Sequence, residues 1–233
     1  MTALERLFEG ALPRLVMFDL DGTLMDSVPD LAAAVDSMLL QLGRAPAGIE
    51  RVRDWVGNGS RVLVRRALAG QYEHAGVDEG ETELALALFM QAYAGGHALT
   101  RVYPGVRECL DWLAARQVGL AVITNKPAQF VAPLLVEKDL GGYFGWLVGG
   151  DTLPQQKPDP AALFWVMDKA GASAAASLFI GDSRNDVQAA HAAGVRCVAV
   201  SYGYNHGRPI AEEAPELVLD DLRLLVASDS GLR

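Results

Sequence analysis

The sequence predicts an α/β fold: a doubly wound parallel sheet with a small all-helical domain inserted into it. Three observations carry this expectation. Five short apolar runs are continuous rather than alternating, as parallel strands covered on both faces require. Helical periodicity fills the stretches between them, which is the pattern of βαβ units. Between Asp26 and about His97 the alternation stops, and no strand is evident.

Leu15–Phe18 is the first expected strand. Asp30–Leu42, Ser60–Ala69 and Thr82–Tyr93 then read as the inserted helices. In Val106–Arg116 the spacing of Val106, Leu110 and Leu113 places them on one helical face. Gly119–Thr124 is the next strand, followed by a helix over Gln129–Lys138, a strand at Trp146–Val148 and a helix over Ala161–Ala170. Ala172–Ala176 is a small-residue loop leading into the strand Leu178–Ile180. A short helix over Asp186–Ala193 and the strand Val195–Val200 complete the pattern, and the end reads as frayed from about Ser228. The chain is thus expected to divide into a core of residues 1–26 and 98–233 and a helical insert of residues 27–97.

With 233 residues, 51% of them apolar and 21% charged, neither a disordered tail nor a disulfide scaffold fits. The net charge of −9 argues against a protein that tracks a nucleic-acid backbone. It leaves room for a small anionic substrate, which needs only a few local cations. Cys109 and Cys197 are far apart and offer neither a metal spacing nor a disulfide framework. No uncharged apolar stretch reaches ~18 residues. Glu5, Arg6 and Glu9 interrupt the N-terminus where a signal peptide would be apolar. The expectation is a cytoplasmic protein, a monomer or homodimer, with no membrane or nucleic-acid partner.

Four segments carry chemistry. Phe18-Asp19-Leu20-Asp21-Gly22-Thr23-Leu24 leaves the carboxyl end of the first strand, where open α/β sheets bind ligands. Side chains alternate along a strand, so Asp19 and Asp21 begin on one side, and their like charges call for a shared cation or proton. A calcium loop does not fit, because Met17 and Val28 stand where acidic ligands are needed. Gly181-Asp182-Ser183-Arg184-Asn185-Asp186 follows another strand; a helix starting near Ser183 puts Asp182 and Asp186 on one face, although Asp, Ser and Asn also serve as plain helix caps. Thr124 and Asn125 end a third strand, where a hydroxyl and backbone N–H groups suit a phosphate oxygen or an ordinary turn. Lys157 precedes Pro158-Asp159-Pro160, whose rings would fix its direction unless it is a solvated surface lysine.

In this order and at strand ends, these segments resemble the motifs of the haloacid dehalogenase superfamily, aspartate-nucleophile phosphohydrolases with a Rossmann-like core. The resemblance spans nearly the whole chain. It implies sheet order 5-4-1-2-3 and a cap domain formed by the helical insert. It implies that Asp19 attacks phosphorus and that Asp21 is the general acid and base. It assigns a Mg²⁺ cofactor to a carboxylate oxygen of Asp19, the backbone carbonyl of Asp21 and the carboxylate of Asp182. Asp186 is then expected to order water or Lys157 behind these ligands. Thr124, the Asn125 N–H and Lys157 are expected to hold the phosphoryl oxygens. The four carboxylates carry −4, and Mg²⁺ with Lys157 returns +3, so backbone donors must supply the rest.

The cap segment Gly57-Asn58-Gly59-Ser60-Arg61 opens a helix, and helix N-termini favour anions. Asn58, Gly59 and Arg61 are therefore expected to read the leaving group, although a plain helix start with a solvated Arg61 fits the same residues. Trp55-Val56-Gly57-Asn58-Gly59 and Gly203-Tyr204-Asn205-His206-Gly207 resemble the subgroup acting on 2-phosphoglycolate. A closely similar subgroup acts on N-acetylmuramic acid 6-phosphate, and other small sugar phosphates stay open. A phosphosugar mutase or phosphotransferase is the rival class, and Thr23 leans toward phosphatases. A binding module without catalysis would keep the fold but has no need of every motif acid. His74, His97, His191 and His206 show no metal spacing.

Overall fold

Leu15, Val16, Met17 and Phe18 are all fully buried, and this strand is the centre of the protein. Its alternate residues serve two cores. Val16 and Phe18 belong to one apolar cluster, Leu15 and Met17 to another. A parallel strand with helices on both faces has no polar side, which is why the run is continuous.

A computed structural model describes residues 1–228. The strands are β1 (Leu15–Phe18), β2 (Met25–Asp26), β3 (Arg101–Val102), β4 (Gly119–Ile123), β5 (Trp146–Val148), β6 (Ser177–Gly181), β7 (Arg196–Val200) and β8 (Leu217–Leu219). The helices are α1 (Ala3–Leu7), α2 (Val28–Gln41), α3 (Ile49–Trp55), α4 (Ser60–Ala69), α5 (Glu79–Tyr93), α6 (Val106–Ala114), α7 (Ala128–Glu137), α8 (Ala161–Ala170), α9 (Arg184–Ala193) and α10 (Arg223–Val226). The six-stranded sheet runs β5-β4-β1-β6-β7-β8, every neighbouring pair parallel. Counting the five expected strands in chain order, this is 5-4-1-2-3 read from the β7 side, with β8 added beyond β7. Apolar residues of α1, α6, α7 and α10 fill one face of the sheet, and those of α8 and α9 fill the other.

Several elements escaped the sequence. β8, α1, α3 and α10 are short, and β2 and β3 have two residues each. The β2–β3 pair is antiparallel, Met25 opposite Val102 and Asp26 opposite Arg101, so the chain leaves and re-enters the sheet layer through one ribbon. Asp30 reinforces this junction: its carboxylate accepts hydrogen bonds from the Leu99 and Thr100 N–H groups and the Thr100 hydroxyl at 3.3, 2.6 and 2.6 Å. Beyond the ribbon, α2 to α5 share a third apolar cluster, which also takes in Phe130 and Tyr204 from the sheet layer. The expected frayed end falls on residues 229–233, outside the described residues, apart from Ser228, which bridges to Thr2. Among the described residues no helix is long and apolar enough to cross a membrane.

Candidate active site

Register brings the motifs together. Phe18 pairs with Val122 on one side and Ile180 on the other. Asp19 lies one residue past Phe18, while Thr124 and Asp182 each lie two residues past its partners. All three therefore emerge within one residue of the same level beyond the sheet. The Asp19 N–H still donates to the Ile180 carbonyl at 2.9 Å, which fixes where its side chain starts.

Asp19, Asp182 and Asp186 are buried, and each offers a carboxylate oxygen within 4.8 Å of the others. Lys157 stands among them, its ammonium 2.8 Å from Asp19 Oδ1 and 2.7 Å from Asp186 Oδ1. The approach to Asp19 is an ion pair that misses hydrogen-bond geometry, so Asp19 Oδ1 is buried without a hydrogen-bond donor. Asp186 is fully committed: its Oδ2 accepts from the Asp182 and Ser183 N–H groups and the Ser183 hydroxyl. The helix-cap and functional readings of this segment thus hold together, since Asp186 closes the start of α9 and also anchors Lys157.

Asp182 accepts once on each oxygen, from the Thr23 hydroxyl at 2.6 Å and the Tyr204 N–H at 2.7 Å, which leaves lone pairs free. The backbone around it must be glycine. A Cβ on Gly22 would come within 2.2 Å of Asp182 Oδ2, and one on Gly203 within 2.2 Å of Asp182 Cβ.

Burial pushes the Asp19 carboxyl up to about 7, with the Lys157 charge opposing and the Asp186 and Asp21 charges adding to the rise. Burial, then the Asp19 and Asp186 charges, also hold Asp182 well above the usual carboxylate range. Burial pulls the Lys157 ammonium down, but the charges of Asp186 and Asp19 outweigh it and the net shift is upward. Two oxygen donors with spare lone pairs, a nearby committed acid and a shortage of positive charge fit a hard divalent cation. Asp19 and Asp182 keep lone pairs that such an ion could take, whereas Asp186 is held by its own donors.

This sets a pH-dependent prediction. Between 3.8, the ordinary value, and about 7, folded Asp19 binds more protons than unfolded Asp19. Stability without metal should therefore fall as pH rises through that window. Added Mg²⁺ is expected to raise Tm more at about pH 8 than at about pH 5, because protons compete for the same oxygens. A rise of equal size at both values, followed by differential scanning fluorimetry, would contradict this assignment.

A small cavity opens beside Asp19. Asp21, Thr124 and Asn125 line it from the sheet layer, and Gly59, Ser60 and Tyr93 from the helical layer. The space open to the centre of a water molecule is about 40 Å³. The loop before α4 is fastened over it. The Gly57 carbonyl accepts from the side-chain amides of Asn125 at 3.0 Å and Asn185 at 3.1 Å. Gly59 has φ +83°, and a Cβ there would meet the Asn125 carbonyl at 3.3 Å.

The cap residues divide. Gly59 reaches the cavity, whereas Asn58 and Arg61 do not line it. Asn58 is a fastener: its side-chain oxygen accepts from Arg66 at 3.0 Å and its amide approaches Asn185 at 3.5 Å. Arg61 is exposed and ion-paired with Glu79 and, at 2.8 Å, with Glu83. Those glutamates on α5 draw the guanidinium outward, so the solvated-helix reading describes Arg61 better than a leaving-group contact. His206 does not line the cavity: its Nδ1 lies 2.8 Å from the Asp54 carbonyl and its ring packs on Tyr72.

Sequence reasoning missed Lys126. Its buried ammonium lies 3.0 and 3.1 Å from the two Asp21 oxygens. Nothing in Thr124-Asn125-Lys126 distinguishes a buried lysine from a surface one; only the position straight after the Thr124 motif was a signal. Asn185 was read only as a candidate helix cap, yet it ties sheet and helical layers together.

Fold and site together define a doubly wound α/β protein with an aspartate cluster at the carboxyl ends of its central strands. The family profile of haloacid dehalogenase-like hydrolases matches residues 16–200, and the chain belongs to that family. It is 70% identical over 232 residues to phosphoglycolate phosphatase 1 of Pseudomonas aeruginosa, covering 99% of this chain and 85% of that one. It is 68% identical over 226 residues to a phosphoglycolate phosphatase of Pseudomonas fluorescens, covering 97% of this chain and 83% of the other. A crystal structure described as a predicted phosphoglycolate phosphatase from Haemophilus somnus superposes with a TM-score of 0.85 at 38% identity, covering 91% of this chain and 96% of that one.

Proposed function

We propose that this chain is a Mg²⁺-dependent phosphomonoesterase that hydrolyses 2-phosphoglycolate to glycolate and phosphate. One observation carries the reading: Asp19, whose buried Oδ1 faces the Lys157 ammonium, borders the same cavity as Asp21, Thr124 and Asn125. The substrate in the names of the two Pseudomonas relatives agrees with this reading.

In this reading Asp19 attacks phosphorus and the ester oxygen leaves, taking a proton from Asp21. The resulting aspartyl-phosphate divides one difficult displacement into two easier ones. Asp21 then removes a proton from water, which attacks the same phosphorus and frees Asp19. Thr124, the Asn125 N–H and Lys157 hold the phosphoryl oxygens. Asp19, the Asp21 carbonyl and Asp182 would hold Mg²⁺, which would neutralise charge on the phosphoryl group.

Residues 27–97 act as a cap that opens for exchange and closes through the Gly57 carbonyl, as the Asn125 and Asn185 bonds suggest. The free, buried Cys109 and Cys197 accord with a cytoplasmic setting.

The test is phosphate release with Mg²⁺ across 2-phosphoglycolate, N-acetylmuramic acid 6-phosphate and hexose phosphates. The expected preference for 2-phosphoglycolate is ~100-fold in kcat/KM, roughly 2.7 kcal/mol of transition-state discrimination. A flat profile or a preferred sugar phosphate would remove the named substrate and keep the Asp19 chemistry. A phosphorylated product in place of free phosphate would indicate a mutase.

A further inference from the structure

The cavity beside Asp19 contains one cation that phosphoryl transfer does not use. Lys126 is the only Lys, Arg or His lining it among the described residues. Its side chain is 2% exposed and its ammonium touches both oxygens of Asp21. The same ammonium lies 4.6 Å from the centre of the Tyr93 ring. Tyr93 lines the cavity too, and its hydroxyl is buried with no hydrogen-bond partner. The buried Tyr93 hydroxyl is left without an acceptor, and the Lys126 ammonium, bonded to Asp21, has a further N–H to give. The remaining wall includes Leu31, Val56 and Leu63, which offer none.

We propose that Lys126 and the Tyr93 hydroxyl form a subsite for the substrate's carboxylate, and that they, rather than Arg61, set specificity. The proposal rests on the 2-phosphoglycolate reading. In that molecule a single methylene separates the ester oxygen from the carboxylate. The group that protonates the ester oxygen and the group that holds the carboxylate must therefore be neighbours. Asp21 and Lys126 are in contact, which meets this requirement. A phosphate ester without a carboxylate brings no anion to this spot.

The subsite also has a location with a consequence. Lys126 follows β4 in the sheet layer, whereas Tyr93 ends α5 in the helical layer. The two donors converge only when the layers are together. A carboxylate bound there bridges them, so recognition of the acid favours the closed form.

The test compares 2-phosphoglycolate with 2-hydroxyethyl phosphate, in which a CH₂OH group replaces the carboxylate. The readout is the ratio of their kcat/KM values in wild type, Lys126→Met and Tyr93→Phe. The ratio is expected to be ~100 in wild type and to fall to about 5 in Lys126→Met. This holds whatever common loss both esters suffer from removing a partner of Asp21. Tyr93→Phe, which keeps the ring and the Lys126–Asp21 pair, is expected to lower the ratio about 5-fold to 10-fold. Rates that fall equally for both esters, with the ratio unchanged in both variants, would overturn the subsite and leave Lys126 as a positioning residue for Asp21. A wild-type ratio near one would mean that the 2-phosphoglycolate reading has failed, and the subsite with it. Should Lys126→Met fail to fold, the ratio in Tyr93→Phe decides alone.

Discussion

Asp19→Asn is expected to lower kcat by about 10⁴-fold or more while leaving the protein folded. An amide of the same shape cannot form the mixed anhydride with phosphate that the proposed mechanism requires. No other carboxylate can take over. Asp186 is occupied by Lys157 and three donors, and Asp182 is fixed by Thr23 and the Tyr204 N–H. The substitution also removes a charge that burial already disfavours, so Tm without metal should be unchanged or higher. Phosphate release and thermal unfolding, measured together, separate lost chemistry from lost fold. Borohydride trapping of the phosphorylated wild type should place the label on the peptide containing Asp19. Activity within about 10-fold of wild type would remove Asp19 from the nucleophile's role.

What could be read in advance follows from how local each feature is. β1 and β4 to β7 were legible because strands buried on both faces must be apolar throughout, as Leu15–Phe18 illustrates. β8 was not, because Val218 is exposed and Leu217 half-buried, which leaves no continuous run. The two-residue β2 and β3 owe their pairing to the path of the chain rather than to any propensity. α5 starts earlier than its apolar pattern, because Asp78 caps it by accepting from the Glu81 N–H.

The site divides along the same line. Asp19, Thr124 and Asp182 were legible because each follows a strand, and parallel strands in register deliver their ends to one place. The cap was not. Whether Arg61 faces the cavity or solvent depends on Glu79 and Glu83, which lie on the next helix and are brought near only by the packing of α4 on α5. Lys126 needed the position of Asp21, 105 residues away, before its burial made sense.

Lys157→Met is the substitution expected to damage stability most. Lys157 is 3% exposed and ion-paired with two buried carboxylates, so its removal leaves Asp19 and Asp186 facing each other without compensation. Breaking a buried pair by deleting one partner costs about 3–5 kcal/mol. For a chain of this size that lowers Tm by about 6–20 °C. Activity should also fall, since a phosphoryl-binding cation is lost. The decisive feature is non-additivity. Asp186→Asn in the Lys157→Met background removes one of the two stranded charges while keeping the shape that closes α9. The double variant is expected to be more stable than Lys157→Met alone, the reverse of what independent contacts would give. Mg²⁺ should likewise restore part of the Lys157→Met deficit, because a cation on Asp19 and Asp182 relieves the same repulsion. A Tm change under about 2 °C for Lys157→Met would show that Lys157 does not hold this cluster together. A double variant less stable than the single one would show that the deficit comes from lost packing rather than from unpaired charge.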